Sequence, residues 1–138
     1  MTAPLYQGPG GGATWRRLFA LLAIFVAGTA LHLVEHLARG LTPLVAWTAL
    51  PAVPLGLLAL WGSWRRTPWG AGLALLLAVA ALVFGALEHL ILPGPDHLAR
   101  APLPSAALTG FLLLLAPVVG LAAWRALHGR HRTSQPSA

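Results

Sequence analysis

The chain has no cysteine, no lysine, a single methionine at its first position and only three acidic residues in 138. Each absence excludes a chemistry. Without cysteine there are no disulfides, thiolate metal sites or redox dithiols. Without an internal methionine there is no thioether ligand either, so any metal must be taken by imidazole, carboxylate, backbone or water, which disfavours Cu(I) and iron–sulfur clusters. Charged residues make up only 9% of the chain against 57% hydrophobic ones, where a soluble domain is about one quarter charged. Mean hydropathy is +0.74. The chain lacks the polar surface to enclose a soluble core.

Nine arginines give a net charge of +6, which would suggest a nucleic-acid partner if they formed one stripe. They stand singly or in pairs at the ends of apolar segments instead. That placement points to lipid headgroups and topology signals, so the expected partner is the bilayer and no nucleic acid.

Four apolar runs fill most of the chain: 15–38, 41–64, 69–92 and 105–127. Each can cross a hydrocarbon core of roughly 30 Å, which takes about 20 helical residues. The expected fold is all-α: one integral membrane four-helix bundle over 15–132. It lies between tails 1–14 and 133–138, whose Gly/Pro-rich or polar composition reads as disordered. Trp15, Trp61, Trp64, Trp69 and Trp124 mark the ends of the runs, as amphipathic rings do at a membrane interface, and Trp47 fits the opposite interface.

Arg16, Arg17, Arg65, Arg66, Arg125, Arg130 and Arg132 flank one side of the spans, against Arg39 and Arg100 on the other. The positive-inside rule then places both termini in the cytoplasm, with the chain in the plasma (inner) membrane. A cleaved signal beginning at Arg16-Arg17 is the competing reading. It would discard a segment that has a counterpart later in the chain.

That counterpart is an apparent repeat. Val34-Glu35-His36-Leu37 aligns with Leu87-Glu88-His89-Leu90, and Pro54 to Trp61 aligns with Pro117 to Trp124. A duplicated transmembrane hairpin follows, its copies related by an axis along the membrane normal. A second register pairs Glu35 to Arg39 with Asp96 to Arg100, and the two stay open.

All three acids, Glu35, Glu88 and Asp96, fall at one end of the first and third spans, together with His32, His36, His89 and His97. Ionisable groups at the bilayer centre are unfavourable by roughly 2.5–3.5 kcal/mol each. Their segregation to one end therefore asks for a compensating interaction. His32, Glu35 and His36 are spaced i, i+3, i+4 and share a helix face, and Glu88 and His89 offer a matching pair. The expected site is a transition-metal centre near the extracytoplasmic face. Its candidate ligands are His32, Glu35, His36, Glu88 and His89, with Asp96 and His97 as outlying members on a rigid turn. Imidazole and oxygen donors suit Zn, Fe, Mn or Cu(II). The bland alternative is an interfacial histidine satisfied by its neighbouring carboxylate.

Haem b is a further expectation, with His36 and His89 as axial ligands, Gly28 and Gly85 admitting the porphyrin, and Arg39 or Arg100 meeting its propionates. Paired Glu and His residues inside four helices resemble the di-iron carboxylate bundles in architecture, though that pattern needs Glu-x-x-His and more carboxylates. Four short spans are similar in topology to the small multidrug exporters, which implies a proton-coupled transporter and homodimer using Glu35 and Glu88. The histidine beside each glutamate departs from that family, as does the lack of surrounding aromatics. His32 to His36 also matches the H-x-x-E-H string of inverzincin proteases, which are otherwise unlike this chain. A third reading is a non-catalytic accessory subunit of a larger membrane complex.

Overall fold

A computed structural model describes residues 9–40, 43–92 and 97–129, and the side chains within them except those of 9–10 and 43–48. Outside these limits lie the outer parts of both tails, with Arg130, His131 and Arg132, the segment 93–96, with Asp96, and the Trp47 side chain. The described chain is all-helical: α1 (Pro9–Arg39), α2 (Pro43–Trp64), α3 (Pro68–Ala86) continued by a π turn (Leu87–Ile91), and α4 (Leu103–His128). Gly11–Arg39, Pro68–Ile91 and Leu103–His128 are each long and apolar enough to cross a membrane, while the described part of α2, Ala49–Trp64, is a shorter apolar helix. Helix is the expected answer, because hydrocarbon offers nothing to satisfy a backbone N–H or C=O and an α-helix satisfies nearly all of its own.

Helix ends follow local chemistry. Gly40, at φ 93°, ends α1 in the left-handed conformation that glycine adopts without strain. Thr67 caps α3: its hydroxyl accepts from the Gly70 amide at 3.3 Å and donates to the Gly62 carbonyl at 2.9 Å. Pro68 follows at the position where a missing N–H is harmless. Pro51 and Pro54 lie inside α2 and Pro117 inside α4, with helix on either side of each.

Each helix packs against the next in the chain, and α4 returns against α1, so α1 and α3 lie on a diagonal. The buried residues of α4 are Ser105, Thr109, Leu112, Ala116, Val119, Ala123 and Ala126. Their spacings alternate between four and three, the 3.5-residue period of a knobs-into-holes seam. Trp15, Leu18, Leu22 and Phe25 begin the same pattern on α1, and Thr29, His32 and His36 continue it. Opposite faces carry exposed apolar residues such as Ile24, Leu57, Leu76 and Leu114, the inverse of a water-soluble bundle.

The end formed by the α2–α3 turn is tightly closed. A Cβ placed on Gly62 would stand 2.6 Å from the Cα of Gly70, and one on Gly70 would strike the Gly62 backbone. Trp61, Trp64, Trp69 and Trp124 lie exposed toward this end, with Arg65 over the Trp61 ring at 5.3 Å. Trp15 departs from the interfacial expectation, since it is buried at the start of the α1 seam. Gly70→Ala is expected to destabilise the bundle by about 1–3 kcal/mol, the usual effect of overpacking. Gly72→Ala, whose Cβ meets nothing within 4 Å, should stay within about 0.5 kcal/mol of wild type. Reversible unfolding in mixed micelles, followed by helicity, compares them, and equal values would remove the Gly62–Gly70 contact as the pin.

Candidate metal centre

The α1 seam carries two histidines one turn apart. His32 and His36 sit where the core stripe reaches the end of the helix away from the tight turn, and their rings meet edge-on with centroids 4.5 Å apart. The third imidazole comes from the diagonal helix. After Ala86 the chain widens into the π turn, closed by the Leu92 amide donating to the Leu87 carbonyl at 2.8 Å. The extra residue per turn swings His89 over the seam continued from Leu77 and Ala78, so that His89 is buried and Glu88 only partly so. The Leu98 amide then donates to the His89 carbonyl at 2.9 Å and anchors the turn.

Three Nε2 atoms converge as a result. Nε2 of His32 lies 3.1 Å from that of His36 and 3.4 Å from that of His89, with ligand atoms of all three histidines within 4.8 Å of one another. A tetrahedral ion bound at about 2.0–2.1 Å holds its nitrogen ligands about 3.3 Å apart. Two of the three edges already have that length. His36 and His89 are 2% and 5% exposed, so the donors face one another inside the bundle instead of water. Among the described residues this is the one grouping of metal-ligating side chains that meets these distances.

Glu35 occupies a different position from the ligand role expected of it. Its Oε2 stands 3.6 Å from Nδ1 of His32, the ring nitrogen that points away from the cluster, and its Oε1 stands 3.3 Å from Arg39. Arg39 in turn donates to the buried Ser105 hydroxyl on α4 at 2.8 Å. A carboxylate behind a ligating histidine fixes the tautomer that leaves Nε2 free to bind metal. Nδ1 of His32 and Oε2 of Glu35 are both buried with no other hydrogen-bond partner. Glu35 is absent from the lining of the cavity described next, so it is poorly placed to exchange protons with a substrate there.

That cavity, about 630 Å³, lies among all four helices and is walled mostly by apolar side chains, with His32, His36, Glu88 and His89 at one end. His97 is not brought into the cluster. Its Nδ1 accepts from the Ala99 amide at 3.3 Å, and its carbonyl takes the Arg100 and Ala101 amides, so it shapes the turn before α4. Asp96 lies outside the described residues.

The haem expectation meets two obstacles. Nε2 of His32 stands beside those of both intended axial ligands, where the porphyrin plane would have to pass. The spaces over Gly28 and Gly85 are filled by Leu112 and Leu113, whose methyl carbons a Cβ would meet at 2.8 and 2.9 Å. Sequence reasoning missed Ser105, whose part depends on the pairing of α1 with α4, although a hydroxyl in the first turn of an apolar helix is a weak signal of it.

No protein-family model, curated protein or solved structure matches the chain, so the reading of the site rests on its own geometry.

Removing the carboxylate behind His32 separates an orienting role from a ligand. Glu35→Ala is expected to weaken metal binding by about 10–100-fold while keeping its stoichiometry, the usual effect of deleting an outer-shell partner. Competition against a chelator of known affinity measures it. Loss of stoichiometric binding would make Glu35 a ligand, and unchanged affinity would leave it no part in the site.

Proposed function

We propose that this chain is an integral membrane protein that binds one divalent transition-metal ion through His32, His36 and His89, for metal handling or redox chemistry. The observation that carries the reading is the convergence of the three Nε2 atoms, with His32 at 3.1 and 3.4 Å from the other two. Neutral imidazoles favour Zn, Fe or Cu(II) over hard cations such as Mg or Ca. Three protein ligands leave a coordination position open, the arrangement of reactive rather than purely structural sites. Glu88, on the cavity wall beside His89, stands outside the three-histidine grouping and is a candidate to hydrogen-bond whatever group takes that position.

The arginine distribution supports both termini in the cytoplasm, with the centre near the outer face of the plasma membrane. Equivalent positions of His36 and His89 in the aligned Glu-His pairs support descent from a duplicated hairpin. A homodimer or a larger complex is compatible with the exposed apolar faces, which lipid covers equally well.

Protein purified in mild detergent without chelator is expected to hold near-stoichiometric metal by elemental analysis, and His36→Ala/His89→Ala to hold none. A metal-free wild type that also refuses added Zn, Fe, Mn and Cu(II) would end this reading. The pH dependence has a definite sign. Ligating imidazoles must be neutral, so protons compete with the ion and affinity falls as pH drops, with up to about three protons taken up per ion released. A titration of bound metal against pH checks this, and release on raising pH instead would point to other ligands.

A further inference from the structure

The cavity that reaches the histidines is far larger than one ion and its water require. At about 630 Å³ it has the dimensions of a small-molecule site, apolar on most walls with a few polar groups converging at one place. Those groups, His32, His36, Glu88 and His89, gather at one end. From the histidines the space continues along the bundle to Phe25, a depth of about 16 Å at 1.5 Å per helical residue. Its most exposed wall residues are Pro51 and Leu55 on α2 and Leu76 and Phe84 on α3. The mouth therefore lies on the flank between α2 and α3, beyond the end where Gly62 and Gly70 pin them together. A rim of this composition faces hydrocarbon. A ligand dissolved in the bilayer passes it freely, whereas a water-borne one meets no polar group there.

Charge specifies the head of such a ligand. A divalent ion on three neutral imidazoles would carry two positive charges, Glu35 is paired with Arg39, and Glu88, the one carboxylate on the cavity wall, supplies at most one negative charge. At least one positive charge is left beside an apolar space, which is unfavourable unless it is paired. A monoanionic oxygen donor cancels it and fills the open coordination position.

We propose, resting on the metal reading above, that the cavity binds a single-chain lipid carboxylate, a free fatty acid. It enters from the bilayer between α2 and α3, with its carboxylate on the ion and its chain along Phe25, Leu77 and Leu112. The neutral alternative with the same access, a long-chain alcohol, lacks the compensating charge.

The test uses the full chain loaded with Co(II) in phosphatidylcholine nanodiscs. Dodecanoate is expected to shift the visible cobalt bands, and dodecanol to leave them unchanged. With dodecanoate isotope-labelled at either end, the carboxyl carbon should relax faster than the terminal methyl, against a Zn(II) control. Ala52→Phe and Ala81→Phe fill the cavity away from the histidines, and should keep cobalt while losing the dodecanoate shift. An equal response to dodecanol, equal relaxation at the two ends, or a full shift in folded, cavity-filled variants overturns the proposal. Should the variants fail to fold, the relaxation gradient in wild type decides alone. Failure of wild type to take up cobalt would sink the metal centre itself. Cobalt bound with no response to dodecanoate would sink only the fatty-acid site.

Discussion

Hydrocarbon cannot hydrogen-bond, and every feature of this bundle answers to that constraint. The backbone satisfies itself by running as helix through nearly all the described chain, including stretches that hold Pro51, Pro54 and Pro117. Polar side chains turn to the backbone, as Thr29 does to the Phe25 carbonyl, or to one another. Arg39, Glu35 and Ser105 join α1 to α4 through charge and hydroxyl contacts, and His32 joins α1 to α3 through His89. Because such contacts are strong in a low dielectric and missing partners are expensive, they select one packing of otherwise interchangeable apolar helices.

The bundle divides along its length. At the α2–α3 turn, backbone meets backbone at Gly62 and Gly70, with small residues Ala71, Ala74, Ala116 and Ala123 buried nearby, as is usual where helices in lipid approach closely. Toward the other end lies the cavity of about 630 Å³. A rigid end and an open end together suit a site that must hold its donors while admitting something beside them.

The histidine cluster and the apolar cavity are continuous, and each changes the chemistry of the other. Apolar walls strengthen any interaction between the proposed ion and an anionic head by excluding water. The Glu35–Arg39 pair stays outside the cavity, with Glu35 against the Nδ1 side of the His32 ring. The π turn is the hinge of this arrangement, since it exchanges one helical hydrogen-bonding register for the placement of a single imidazole. Such bulges occur often at functional sites for that reason.

What the sequence by itself determined was everything governed by local period and composition. Runs of apolar residues between arginines and tryptophans required membrane-compatible helices, and the spacing of His32 and His36 put both on one face. The crowding of ionisable groups at one end located the candidate site. The tertiary structure alone decided which of those groups meet. Whether Glu88 or His89 turns inward depends on the π turn; whether Glu35 ligates or stands behind His32 depends on Arg39 and on Ser105 across the α1–α4 contact. His97 was drawn into its own turn, and the room over Gly28 and Gly85 was taken by leucines from α4. None of these outcomes is visible in spacing along one helix. They arise from register between helices distant in the chain, which many small packing contacts set together, and in a Leu/Ala-rich sequence no single residue announces it.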